Sequence, residues 1–294
     1  MTRHLTLDRD ALRLEGLLDG PDHAPLVMLV HGFPDTPHGW DALVPGLLAA
    51  GFRVFRPWLR GYTRDSAFAE ARYDLLAVGD DLNAWRQHLG VSRAHLVGHD
   101  WGAIAAMVAA GDDPQGWHGT SLLAIPPLQR PERGWRLLPA QLWQSSYMLF
   151  LQSEAAPVLI RQGGCAYLRR LWRQWSPGWD FSDAQFAPVQ TAFAQPAVAR
   201  AATRYYRSLF TLHKAATRDF LMALRRPLRQ PVLALAGAQD GCMQAGLLDA
   251  LIDPRLFPAG IRHAVLPGCG HFLQAERPQA VLDELLPHLQ ATTA

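Results

Sequence analysis

The chain of 294 residues is almost without lysine: Lys214 is the only one, and the cationic side is carried by arginine. We read this as a compositional bias that does not separate functions, and a formal charge of +2 gives no reason to expect a nucleic-acid partner. Cysteine is also scarce. Cys165, Cys242 and Cys269 lie far apart with no Cys-x-x-Cys or Cys/His ligand spacing, which argues against a disulfide framework or a zinc site and fits a reducing compartment. No uninterrupted apolar run reaches membrane-spanning length, and the stretch 1–10 lacks a signal-peptide core. The expectation is a cytoplasmic protein with no stable membrane association; the oligomeric state stays open. What is present, 49% hydrophobic and 18% charged residues, describes a soluble globular chain, long enough for one large domain with an insertion or for two small ones.

Taken in order, His4–Leu7 and Leu12–Gly16 alternate polar and apolar residues around Asp8-Arg9-Asp10 and predict an antiparallel hairpin. Leu26–Val30 is a continuous apolar strand that runs into His31-Gly32-Phe33-Pro34. Trp40–Ala50 has helical spacing, Phe52–Trp58 strand spacing, and Tyr73–Leu89 the spacing of a long helix with Leu75, Leu76, Val78, Leu82, Trp85 and Leu89 on one side. Such alternation predicts a mostly parallel sheet covered on both faces, with ligands at the C-terminal ends of its strands. Leu122–Ile125 is read as the next strand. From Pro127 to about Phe220 no buried strand is evident, and the segment reads as an inserted helical lid. It holds Trp135, Trp143, Trp172, Trp175 and Trp179, a density suited to an apolar pocket or simply to packing on the core. Its arginines, Arg169, Arg170 and Arg173 and then Arg200, Arg204 and Arg207, fall on single helix faces and read mainly as solvated. Strands resume at Val232–Gly237 and Arg262–Leu266, and Pro278–Leu289 closes the chain as an amphipathic helix.

The informative stretch is Gly98-His99-Asp100-Trp101-Gly102, between the apolar run 94–97 and the helix-like run 103–110. Small residues two positions either side of a central one are what a tight strand-to-helix turn demands, since its central residue is strained and the flanks come too close for a larger Cβ. A serine there would attack acyl groups. A carboxylate would give an anhydride with an ester, so Asp100 suits alkylation at an sp³ carbon, followed by hydrolysis of the ester it forms. An N-capping aspartate is the plain alternative. Asp240, just past a late strand, is placed to orient a base, and His271, in the loop after the last strand, is that base; taken singly they read as a turn residue and a surface histidine. The loop at 31–34 would supply an oxyanion-hole N–H from Phe33, with a second from Trp101. His31, His99 and Cys269 are read as structural.

Together, His31-Gly-Phe-Pro34, Arg60-Gly-Tyr62, Gly98-His-Asp-Trp-Gly102, Asp240 and Gly268-Cys-Gly-His-Phe272 resemble an α/β-hydrolase of the epoxide hydrolase branch. The order Asp100, Asp240, His271 is that family's nucleophile, acid, histidine order. The resemblance implies an α/β-hydrolase fold: a mostly parallel eight-stranded sheet formed by 1–126 and 221–294, with a helical cap at 127–220. It also implies two cap tyrosines that hold and protonate the epoxide oxygen, and Tyr147 and Tyr206 lie in similar stretches, with Tyr205 able to exchange with Tyr206. Trp101, Phe33, Tyr205 and Phe272 would bind substrate. The implied partners are a small apolar epoxide and water, with no cofactor and no metal. The runner-up is a haloalkane dehalogenase with the same triad, whose halide needs side-chain N–H donors that Phe33 lacks; a non-catalytic small-molecule binder is the alternative of a different class.

Overall fold

The computed structural model describes residues 2–68, 70–209, 211, 213 and 215–293. The opening hairpin forms as read but longer: β1 (Arg3–Arg9) and β2 (Leu12–Asp19) are antiparallel and turn at Asp10 and Ala11, both with positive φ. β3 is Leu26–Val30, buried on both faces. The run expected as one helix from Trp40 instead divides into a 3-10 turn, Pro37–Trp40, and α1 (Val44–Ala49), and β4 is Arg53–Pro57. The long helix is α2 (Leu75–His88); Asp74 caps it by accepting from Ala77 N–H, satisfying one of the donors a helix start leaves unpaired. β5 (Ala94–His99) leads into α3 (Trp101–Asp112).

β6 corrects the sequence reading. It spans Trp117–Leu123 and not 122–125. Its middle, Thr120 and Ser121, is polar yet buried, because ladder bonding to β5 and to the strand on its other side sets the strand and not an apolar pattern. The Thr120 hydroxyl accepts from Gln230 at 2.8 Å, and at Ala124 the backbone turns to φ 67 and leaves the sheet.

Between β6 and β7 (Val232–Gly237) lie α4 (Leu138–Gln144), α5 (Tyr147–Leu151), α6 (Ala156–Leu159), α7 (Gln162–Trp175), α8 (Asp183–Ala194), α9 (Pro196–Leu209) and α10 (Ala215–Leu224), with no strand among the described residues. α10 crosses the expected junction at residue 220 and packs on α2 and α3, so the chain is back against the sheet layer before that point. Within the cap, Arg169 pairs with Asp183 and Arg207 with Glu154, so these arginines of the basic faces are engaged within the segment. After β7 come α11 (Gly246–Leu251), β8 (Ile261–Leu266), α12 (Leu273–Glu276) and α13, which runs past the expected end to Thr293.

The eight strands form one sheet in the order β1-β2-β4-β3-β5-β6-β7-β8, antiparallel through β4 and parallel beyond it. Alternate side chains of β3 feed separate cores. Met28 and Val30 join the layer of α2, α3 and the cap, while Val27 and Leu29 join that of α1 and α13. No helix among the described residues is long and apolar enough to cross a membrane.

The Arg60-Gly-Tyr62 turn is held by a buried fork. Arg60 Nε donates to Asp81 Oδ2 at 2.7 Å and Nη2 to Oδ1 at 2.6 Å, fastening the loop after β4 to α2. Substituting Arg60→Met removes both bonds of the fork and leaves Arg9 Nε, 3.3 Å from Asp81 Oδ1, as the remaining cation beside this buried carboxylate; losing one partner of a buried pair costs about 3–5 kcal/mol, and Arg9 holds the loss to the lower end of that range or below it. The urea unfolding midpoint should fall accordingly, and a midpoint within error of wild type would refute the assignment.

Candidate active site

Asp100 ends β5 with φ 51 and ψ −121, and α3 begins at the next residue. The flanking glycines are required by contact. A Cβ on Gly98 would lie 2.2 Å from the carbonyl oxygen of Gly102, and one on Gly102 would lie 2.1 Å from that of Val30. The strain lifts the carboxylate clear of the sheet, at the end where β3 and β7 also deliver their loops.

The two carboxylate oxygens of Asp100 have separate surroundings. Oδ1 accepts the Phe33 N–H at 2.7 Å, while Oδ2 lies 3.5 Å from His271 Nε2. Trp101 opens α3, where the first N–H groups have no carbonyl within the helix to bond. His271 Nδ1 is 2.9 Å from Asp240 Oδ2, and Asp240 Oδ1 accepts from Cys242 N–H at 2.7 Å and Met243 N–H at 2.8 Å. Asp100, Asp240 and His271, which span 171 positions of the chain, therefore form one buried chain of contacts. Burial opposes a charge on His271, but the Asp240 and Asp100 carboxylates outweigh it and raise its pKa to about 10. The imidazole is thus protonated at neutral pH while both carboxylates flank it.

The other histidines near the site are held neutral. His31 Nε2 accepts from Leu59 N–H at 3.1 Å and Nδ1 sits 3.0 Å from the Gly32 carbonyl; burial takes its pKa down to about 4. His99 Nε2 is 3.0 Å from the His271 carbonyl, and burial takes it down to about 3. Both positions hold loops, consistent with a structural reading.

Above the carboxylate stand aromatic rings of the cap. Tyr206 lies with its ring 4.9 Å from that of Trp101 and 5.2 Å from that of Phe33, and 6.0 Å from Tyr147. Tyr147 contacts Trp175 at 4.8 Å, and Trp175 contacts His271 at 5.1 Å. Burial, with the Asp100 charge among the further causes, pushes both tyrosine hydroxyls well above their ordinary range, so both remain O–H donors. Tyr205 is different. Its hydroxyl donates to the Arg60 carbonyl at 2.7 Å, and its ring packs by Tyr62 and Tyr73. Adjacent helical residues point about 100° apart, so only one of the pair faces the carboxylate, and that is Tyr206. Of the two tyrosines expected to be interchangeable, the Tyr205 hydroxyl is engaged by the Arg60 loop, while its ring still stacks 6.4 Å from that of Trp101. Phe272 packs against His271, between that ring at 5.2 Å and Trp172 at 4.7 Å.

Several participants carried no sequence signal. The Trp175 carbonyl accepts from both His271 N–H, at 2.9 Å, and Gly241 N–H, at 3.0 Å, so one cap residue ties the base loop to the acid loop. Trp172 Nε1 donates to the Pro34 carbonyl at 2.8 Å, fastening the cap to the loop of Phe33. Ser176 Oγ accepts from Phe272 N–H. Each of these bonds has a backbone atom on at least one side, which any residue would supply; an excess of tryptophan in the cap is the trace they leave in the sequence. Phe193, beside Phe33 at 5.6 Å and Tyr62 at 5.7 Å, completes the apolar wall.

The arrangement is a buried carboxylate at a strained turn with a backbone N–H on one oxygen and a carboxylate-oriented histidine on the other. Comparison with known proteins agrees. Residues 25–278 match the alpha/beta hydrolase fold family, and the chain belongs to that family. It is a hydrolase. Over 96% of this chain and 96% of the relative it is 27% identical to Epoxide hydrolase A of Mycobacterium tuberculosis, and over 95% and 74% it is 26% identical to Epoxide hydrolase 3 of Mus musculus. The crystal structure of Epoxide Hydrolase A from Mycobacterium thermoresistibile superposes with a TM-score of 0.79 at 25% identity, covering 99% of this chain and 98% of that one.

Because the folded state raises the His271 pKa to about 10 from an unfolded value near 6.5, its stabilisation is complete below about pH 6.5 and is lost as pH rises toward 10. Thermal midpoints should decline across that window, and His271→Gln should flatten the decline. An equal slope in the variant would show that other groups cause it.

Proposed function

We propose that the protein converts an apolar epoxide to a vicinal diol through an ester on Asp100. The observation that carries this is an aspartate at a strained elbow, Oδ1 held by an N–H and Oδ2 facing the histidine, beneath two tyrosines that keep their protons. The similarity to proteins named as epoxide hydrolases supports the substrate class.

In the first step an Oδ2 lone pair attacks a ring carbon, the ring C–O bond breaks, and the oxygen takes a proton from Tyr147 or Tyr206. Ester formation removes the Asp100 charge, one of the two that raise the His271 pKa, so the imidazolium releases its proton, which returns to the phenolate. His271 then becomes a base only once there is an ester to hydrolyse. In the second step neutral Nε2 takes a proton from water as the hydroxide attacks Cγ of Asp100, and the charge arising on Oδ1 is held by the N–H groups of Phe33 and Trp101. Removing one such donor typically costs about 2.7–4 kcal/mol. Cleavage of Cγ–Oδ2 releases the diol, which takes the proton back from His271, and the regenerated Asp100 carboxyl passes its own proton to His271, restoring the resting pair. The apolar walls of Phe33, Trp101, Tyr206 and Phe193 favour an apolar substituent.

One observation favours a second reading. The indole N–H of Trp101 is buried with no hydrogen-bond partner among the described residues, and a departing halide would use such a donor. A haloalkane dehalogenase would keep the same triad, but its halide would lack the second side-chain donor, since Phe33 has none. Side-by-side assays of diol formation from epoxides and halide release from chloro- and bromoalkanes decide. We expect diol formation to dominate, with Tyr147→Phe and Tyr206→Phe each slowing alkylation by up to roughly 10²–10⁴-fold. Efficient halide release indifferent to both changes promotes the dehalogenase.

Two further outcomes test the ester. After a single turnover in heavy-oxygen water the label should reside in Asp100 and not in the diol; label in the diol alone means direct attack by water. In His271→Gln the ester should accumulate and be visible by intact-protein mass spectrometry. In wild type the hydrolytic step should weaken as pH falls through a His271 pKa lower than the about 10 of the resting enzyme, measured by rapid-quench single turnovers across pH; an acid limb at or above 10 contradicts the switch.

A further inference from the structure

Cys242 lies two residues beyond Asp240, and its Sγ is 3.4 Å from Oη of Tyr147. The sulfur is buried, and burial, then the charges of Asp240 and Asp100, hold its thiol protonated far above the ordinary range. Its position is fixed at both ends of the residue. Cys242 N–H donates to Asp240 Oδ1 at 2.7 Å, and its carbonyl accepts from Gln141 Nε2 on α4 at 2.9 Å; the Gln141 carbonyl oxygen in turn accepts from Gln244 N–H at 3.0 Å. The turn that orients the triad carboxylate therefore also presents a thiol to the cap tyrosine.

Two protonated groups at this separation share one hydrogen bond, which runs in either direction. Were Tyr147 the donor, its O–H would be spent on a sulfur, a weak acceptor. With the thiol as donor, the Tyr147 oxygen accepts, as it also does from the neighbouring Tyr206 hydroxyl, and its own O–H is left for an incoming oxygen, a better acceptor than sulfur. Oη of Tyr147 is the hydrogen-bond partner of Sγ among the described residues, so a thiol donor has this acceptor to use.

Resting on the reading of Tyr147 as an acid, we infer that Cys242 is a positioning residue: its S–H donates to the Tyr147 oxygen, directs the phenolic proton at the epoxide, and stabilises the phenolate left behind. The Tyr147 proton moves to the epoxide oxygen as the ring C–O bond breaks.

The test is a double-mutant cycle on the single-turnover alkylation rate. Cys242→Ala should slow alkylation about three- to tenfold, as loss of one hydrogen bond of ordinary strength would. Cys242→Val, which fills the space without a donor, should do the same and serves if the alanine variant folds poorly. Cys242→Ser, with a stronger O–H donor, should recover the rate. In a Tyr147→Phe background Cys242→Ala should have no further effect, whereas in Tyr206→Phe its full effect should persist. Equal losses in both backgrounds, or a serine variant no faster than alanine, would reduce Cys242 to packing and overturn the inference while leaving Tyr147 as the acid. If Tyr147→Phe alone leaves alkylation unchanged, the acid assignment fails and this inference with it.

Discussion

Two carboxylates and one imidazole are buried against one another at a single point, and most of the site's architecture follows from giving each of them partners. An unpaired buried charge is prohibitively costly, so each needs partners. Asp100 has the Phe33 N–H and the imidazole; Asp240 has the imidazole and the N–H groups of Cys242 and Met243. Every one of these donors comes from a loop at the C-terminal end of a strand, which the parallel order of β3, β5, β7 and β8 brings to one edge. The electrostatic result is a histidine that is an acid at rest and, in the proposed cycle, a base only when the nucleophile has been neutralised.

The cap does more than cover this edge. Trp172 binds the oxyanion loop through the Pro34 carbonyl, the Trp175 carbonyl binds the base and acid loops, and Gln141 binds the acid loop through the Cys242 carbonyl and Gln244 N–H. Its tyrosines are therefore referenced to the same backbone atoms that place the carboxylates. Tyr205 and Tyr206 divide the work: one locks α9 to the Arg60 loop, whose guanidinium is itself locked to α2, and the other stands against Trp101 and Phe33 beside Asp100.

Much of this was legible along the chain, unevenly. The elbow was legible because steric crowding at Gly98 and Gly102 tolerates almost nothing else, and β3 and β7 because strands buried on both faces must be apolar throughout. Asp240 and His271 were legible as residues just past late strands, in an order that matched. β6 was misplaced because its buried Thr120 and Ser121 satisfy themselves through ladder and side-chain bonds and so do not need an apolar sequence. The choice between Tyr205 and Tyr206 was open, since helical periodicity tells how far apart two side chains point but not where the helix is rolled.

What the sequence by itself determined is therefore local: which segments alternate as strand and helix, where the chain must turn sharply, and that an acid stands where the turn is strained. Tertiary structure alone decided which oxygen of Asp100 takes the Phe33 N–H and which faces His271, how far His271 is shifted by two carboxylates 171 and 31 positions distant along the chain but adjacent in space, and that the Cys242 thiol meets Tyr147. The reason is physical. Steric and hydrogen-bonding constraints within a few residues leave a mark on composition and spacing, whereas a hydrogen bond to a carbonyl or a pKa set by a neighbour's charge depends on distance through space, which no short stretch of chain encodes.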